Sequence, residues 1–109
     1  MEIEFLWWRG CPSWEEALGE LEEEMRVRGL DPDTELSLRE IATEAEAEAL
    51  DFPGSPTIRV EGRDILDPAH EPKGLTCRVY RLRDGRYSAV PDRADVAEAL
   101  TAARRGDGA

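Results

Sequence analysis

Cys11 and Cys77 are the chain's two thiols, and their surroundings in the sequence give them different prospects. Cys11 stands in Gly10-Cys11-Pro12, between an apolar run, Ile3 to Trp8, and the start of a helix. Two caps compete for that helix. Cys11 can be the N-cap, with Pro12 in the first helical position, where its missing N–H is no loss. Alternatively Ser13 caps and Glu16 completes a capping box. Either arrangement sets the sulfur beside unpaired N–H groups of the first turn, whose dipoles favour an anion. The thiolate is the nucleophilic form of cysteine, and such a setting lowers a thiol pKa below its ordinary value of about 8.5. Glu15 and Glu16, one turn away, pull the other way, so the expected lowering is moderate.

Cys77 admits two readings. It alternates in a strand-like stretch, Thr76 to Leu82, where it can pack as a small apolar side chain, or it can be a second working thiol. His70 with the two cysteines would make three metal ligands, but their spacing matches no zinc knuckle. No metal site and no cofactor is therefore expected. Trp7, Trp8 and Trp14 read either as a substrate platform or as packing around the Cys11 loop. Arg78, Arg81, Arg83 and Arg86 read as solvated hairpin positions that offset the acidic helices, or as cations for an anionic thiol such as glutathione. The sequence holds no Gly-rich phosphate loop, and its single histidine leaves no Ser-His-Asp set beyond His70.

These residues sit in 109 residues of 12.2 kDa, the size of one domain. We expect it to span residues 1–106, with a frayed tail at 107–109. The composition, 36% charged and 40% hydrophobic, is that of a globular chain. A net charge of -11 argues against nucleic acid, whose phosphates need clustered cations, and against an anionic membrane surface. Lys73 is the only lysine. The first apolar run is too short for a signal h-region or a membrane span. Two cysteines do not make a secreted disulfide scaffold, so the expected location is cytoplasmic.

The elements that must hold the thiols follow from periodicity. Ile3 to Trp8 is a continuous apolar run, as in a strand covered on both faces. Pro12 to Arg28 carries Trp14, Ala17, Leu18, Leu21 and Met25 as an apolar stripe, and Gly29 is a natural stop. Glu20 to Glu24 make a solvated face. Thr34 to Ile41 alternates as an edge strand with Leu36 and Leu38 inward. Thr43 to Leu50 is rich in helix formers. Thr57 to Val60, a Glu61-Gly62 reversal and Arg63 to Leu66 make a hairpin. After an irregular connection, Asp67 to Gly74, come the strand Thr76 to Leu82, a turn at Arg83 to Arg86, and a return from Tyr87 to Val90. A last helix opens at Pro91-Asp92 and turns Val96, Ala97, Leu100 and Ala103 to the core. Arg104, Arg105 and Gly106 close it.

The order strand, Gly-Cys-Pro, helix, and later Ser55-Pro56-Thr57 opening a strand, resembles the thioredoxin-like superfamily. The likeness covers roughly Met1 to Leu66 and the last helix. The Gly10-Cys11-Pro12 start and the segment Gly74 to Tyr80 also resemble small bacterial thioredoxin- and glutaredoxin-like proteins. The resemblance implies an α/β three-layer sandwich, with a central mixed sheet, helices on both faces, and an extra strand or hairpin before the last helix. It implies that Pro56 is a cis-proline beside Cys11 and that Ser55 offers backbone groups to a bound thiol partner. The sequence departs from the Cys-x-x-Cys motif of that superfamily, because Trp14 stands at the second cysteine's place in Cys11-Pro12-Ser13-Trp14.

The expected function is thiol–disulfide exchange with a disulfide protein or a small thiol such as glutathione. Cys11 attacks, Pro12, Trp14, Ser55, Pro56 and Thr57 line the partner's seat, and Cys77 or an external thiol resolves the mixed disulfide. The alternatives are a redox-inactive module for binding or dimerisation, and capture of a soft metal such as mercuric ion by two thiols. A resolving Cys77 must come close to Cys11. The resemblance allows this, because the connection leaves the hairpin strand that neighbours the cis-proline strand.

Overall fold

Alternation within the first apolar run decides which helix goes to which side. The computed structural model describes residues 1–68 and 71–104. In β1 (Ile3–Trp7) the side chains of Ile3, Phe5 and Trp7 join one apolar cluster, while Leu6, followed by Trp8, joins another. The first cluster is covered by α1 (Trp14–Val27) and α4 (Arg93–Arg104), through Ala17, Leu21 and Met25 and through Val96 and Leu100. The second contains Ile41, Phe52 and Ala47, the last from α3 (Glu44–Ala49). Helices therefore lie on both faces of β1, as its two-sided burial requires. Each large apolar side chain so buried contributes roughly 1.5–3 kcal/mol.

The main sheet has four strands in the order β2-β1-β3-β4 and is mixed. β2 (Leu36–Glu40) runs parallel to β1, with Phe5 opposite Leu38. β3 (Thr57–Val60) runs antiparallel to β1, with Phe5 opposite Ile58. β4 (Arg63–Asp64) closes the hairpin on β3 after Glu61 and Gly62, both at positive φ. A separate hairpin, β5 (Tyr80–Arg81) with β6 (Tyr87–Ser88), precedes α4.

Local chemistry sets the boundaries. Gly29 takes φ +75 and ends α1, with its N–H on Arg26 and the Leu30 N–H returning to Met25 at 2.9 Å. That is the paired bonding of a Schellman stop, with Leu30 and Met25 both in the core. The edge strand is shorter than expected, because Asp31 caps a single turn, α2 (Pro32–Glu35), and takes the Asp33 N–H at 2.9 Å. Leu38 is exposed rather than inward, although Leu36 on the same face of the strand packs against the first cluster. Thr43 caps α3, and Glu46 reaches back to the Ala42 N–H at 3.3 Å.

The expected long strand from Thr76 to Leu82 is broken. Residue 77 makes an isolated bridge, and regular pairing resumes only at Tyr80. In α4 Ala99, not Ala97, joins Val96, Leu100 and Ala103 at the core. His70 and the expected end of the last helix at Arg105 and Gly106, with the tail 107–109, lie outside the described residues. Among the described residues, no helix is long and apolar enough to cross a membrane.

Candidate functional site: two cysteines beside Ser55

Gly10 allows the loop that presents Cys11 to close tightly. A Cβ there would come within 2.4 Å of the Trp8 ring, which lies against the loop. The Cys11 N–H then bonds back to the Trp8 carbonyl at 3.0 Å. Neither predicted cap forms with a side chain. Ser13 is at the N-cap, but its hydroxyl makes no capping bond. It lies instead 3.4 Å from Cys11 Sγ. Pro12 is exposed beside it.

The second wall of the site is Ser55. The Ser55–Pro56 peptide is cis, and Ser55, Pro56 and Thr57 are buried. The Ser55 hydroxyl accepts the Trp8 N–H at 3.0 Å, and the Ser55 carbonyl accepts the Cys11 thiol at 3.4 Å. Thr57 Oγ1 donates to the Gly54 carbonyl at 2.7 Å.

The third wall is the chain's own later segment. Residue 77 pairs with Ser55 in a parallel bridge. The Ser55 N–H donates to Thr76 O at 2.8 Å, and the Arg78 N–H donates to Ser55 O at 2.9 Å. The backbone groups of Ser55 that the resemblance assigns to a bound partner are thus engaged by this segment. Cys77 is near enough to Cys11 for each thiol to shift the other's titration, and both cysteines are free thiols. Cys11 is buried and Cys77 is exposed, the reverse of a Cys77 that merely packs.

Competing effects set the Cys11 thiol. Burial pushes its pKa up. Hydrogen bonds from the Ser13 side chain and backbone, from Cys77 and from the Ser55 side chain outweigh that and hold it below the ordinary value. The opposing pull expected from Glu15 and Glu16 does not reverse the sign. Cys77 is shifted the other way, first by burial and then by its hydrogen bond and charge interaction with Cys11. Of the two thiols, Cys11 is therefore the one that loses its proton more readily.

Trp14 occupies the second motif position as packing. Its ring stacks on Trp7 with centroids 4.0 Å apart and joins the core cluster. The arginines divide. Arg81 lies over the Tyr87 ring, Arg83 pairs with Asp95 and Glu98, and Arg86 pairs with Asp84, all at the surface. Arg78 is buried, contrary to the expected solvated position. Its guanidinium meets Asp64 at 2.7 Å and Glu71 at 3.0 Å, which satisfies the charge that burial would otherwise strand. Asp64, Glu71 and Tyr80 were not singled out in the sequence. The parity that places Arg78 and Tyr80 on one face was the available signal. A groove of about 590 Å³ between the β3–β4 hairpin and α4 is lined by Val60, Arg63, Asp64, Ile65 and Ala99 among others, and holds neither cysteine.

The chain is a mixed α/β protein in which the Cys11 thiol and the backbone bridge at residue 77 meet on Ser55. Comparison of the chain with protein-family models, characterised proteins and solved structures finds no match.

Proposed function

We propose that the chain is a thioredoxin-like thiol–disulfide protein in which Cys11 attacks and Cys77 resolves. The observation that carries this reading is the convergence of Cys11 and Cys77 on Ser55. The strand order, the helices on both faces of β1, and the Ser55–Pro56 turn beside Cys11 also support the thioredoxin-like assignment.

The Cys11 thiolate attacks one sulfur of a disulfide RS–SR. The S–S bond breaks, and RS⁻ leaves and takes a proton. With Cys11 now in a mixed disulfide, its negative charge is gone and no longer holds the Cys77 proton. Cys77 deprotonates and attacks Cys11 Sγ, and the second RS⁻ leaves. The protein has lost two electrons and two protons, and RS–SR has become two RSH. A dithiol runs the sequence backward.

The test is exposure of the reduced protein to glutathione disulfide, followed by non-reducing peptide mapping. Linked Cys11 and Cys77 peptides from the monomer are expected, and Cys77→Ser should stop at the Cys11–glutathione adduct. If neither product forms, the reading fails, and a redox-inactive binding module takes its place. A second reading has its own support: Cys11 and Cys77 are both free and both meet Ser55. Such a pair suits a soft cation that accepts two thiolates, such as mercuric ion. Equilibrium titration with mercuric ion should then show one site per chain, lost in Cys77→Ser.

A further inference from the structure

We propose that Arg78 is a positioning residue for the thiol pair: held by Asp64 and Glu71, it fixes residue 77 over Cys11, so that the internal disulfide closes faster than an external thiol can intercept it. The proposal rests on the thiol–disulfide reading above and adds the device that sets its second step.

Both terminal nitrogens of Arg78 are bound to other parts of the chain, while its buried Nε has no hydrogen-bond partner among the described residues. Nη1 donates to Asp64 Oδ2 at 2.7 Å and to Thr57 Oγ1 at 3.3 Å. Nη2 meets Glu71 Oε2 at 3.0 Å and the Leu66 carbonyl at 3.1 Å. The guanidinium also lies 4.7 Å over the Tyr80 ring, whose hydroxyl donates to Pro56 O. The planar fork thus ties β3, β4 and the following connection to one residue, a geometry that a lysine ammonium does not reproduce.

The same residue's backbone N–H holds Ser55 O at 2.9 Å. Position 78 is therefore fixed by side chain and main chain together. Adjacent side chains in extended chain point to opposite sides. With Arg78 anchored inward, Cys77 is directed away from it, on the bridge to Ser55 whose carbonyl also takes the Cys11 thiol at 3.4 Å. Gly54 completes the fit, because a Cβ there would lie 3.0 Å from the Arg78 nitrogen. A buried ion pair is a poor source of stability compared with apolar packing of the same volume. Fixing a reactive neighbour is work for which its directionality suits it.

The experiment treats reduced wild type, Arg78→Gln, Arg78→Lys and Glu71→Gln with glutathione disulfide in a range of glutathione concentrations. Intact mass and peptide mapping give the ratio of internal disulfide to Cys11–glutathione adduct, hence the effective concentration of Cys77 at Cys11. Circular dichroism selects the variants that fold. A fall of at least tenfold is expected in Arg78→Gln, with smaller falls in Arg78→Lys and Glu71→Gln. The Cys11 adduct should form no more slowly than in wild type, which a general loss of structure would not spare. If Arg78→Gln does not fold, the half-exposed Glu71 and the charge-conserving lysine decide. Unchanged ratios in every folded variant overturn the role of Arg78 and leave the thiol reading standing. A wild type that forms neither product overturns the thiol reading itself.

Discussion

Cys77 lies directly across from Ser55 in a parallel bridge, and the carbonyl of Ser55 accepts both the Arg78 N–H at 2.9 Å and the Cys11 thiol at 3.4 Å. One peptide unit therefore sets the spacing of two cysteines that are 66 positions apart in number, 77 less 11. The reciprocal influence of the two thiols follows. Cys77→Ala removes a donor to the Cys11 thiolate, so the pH midpoint for Cys11 alkylation should rise. Cys11→Ala removes an acceptor and a negative charge, so the Cys77 midpoint should fall. Iodoacetamide rates across a pH series, with mass detection of each site, measure both. Midpoints that do not move would mean that the two thiols are independent.

Ser13 separates a thiol effect from a helix effect. Its hydroxyl is directed to Cys11 and makes no cap. Ser13→Ala should raise the Cys11 alkylation midpoint, since that hydroxyl favours the thiolate. It should change unfolding stability by no more than about 0.5 kcal/mol, below the roughly 1 kcal/mol typical of a lost cap. Urea denaturation beside the alkylation series checks the two halves.

Tyr80 gives the fold an alkaline limit. Burial raises its pKa well above the ordinary value of 10.0, with the nearby Arg78 only partly opposing this. A group whose folded pKa is raised contributes stability that is full below its unfolded pKa, near 10, and is lost as pH climbs from there toward the folded value. The urea midpoint of wild type should therefore fall between about pH 9.5 and 11. Tyr80→Phe should flatten that fall and lower stability at pH 7 by about 1 kcal/mol, for the lost bond to Pro56 O.

Gly54 should tolerate no side chain. It sits at φ +124, and its missing Cβ leaves room for the Arg78 backbone. Gly54→Ala is expected to destabilise by roughly 1–3 kcal/mol, from the strained backbone and displacement of the segment against it. It should also slow formation of the Cys11–Cys77 disulfide. Thermal unfolding and the glutathione disulfide mapping read these separately.

Trp14 stacks on Trp7 in the place where a second motif cysteine would stand. Trp14→Cys introduces a Cys-x-x-Cys spacing and removes that packing. The half-buried ring should be worth about 2–3 kcal/mol, below the 3–5 kcal/mol of a fully buried one. Chemical denaturation gives the loss, and near-ultraviolet circular dichroism reports the broken indole stack.

The elements governed by local rules were legible in the sequence: the two-sided run of β1, the stripe of α1 and its stop at Gly29, the helix-forming run from Thr43, the reversal at Glu61-Gly62, and Cys11 as the thiol before a helix. Each depends on periodicity or on the conformational preference of one residue. Tertiary structure decided what Cys77 and Arg78 do. Alternation from Thr76 to Leu82 defines two sets, Cys77 with Val79 and Arg78 with Tyr80, without saying which is buried. Hydropathy favours turning Cys77 and Val79 inward, yet Val79 is 62% exposed and Arg78 is 3% exposed. The choice fell to long-range partners. The Tyr80 hydroxyl finds Pro56 O, and Asp64 and Glu71 make an arginine between them cheaper to bury than its charge alone implies. Those partners meet only once an aperiodic connection has folded back along Ser55. The same closure turns Cys77 from a small strand residue into the neighbour of Cys11.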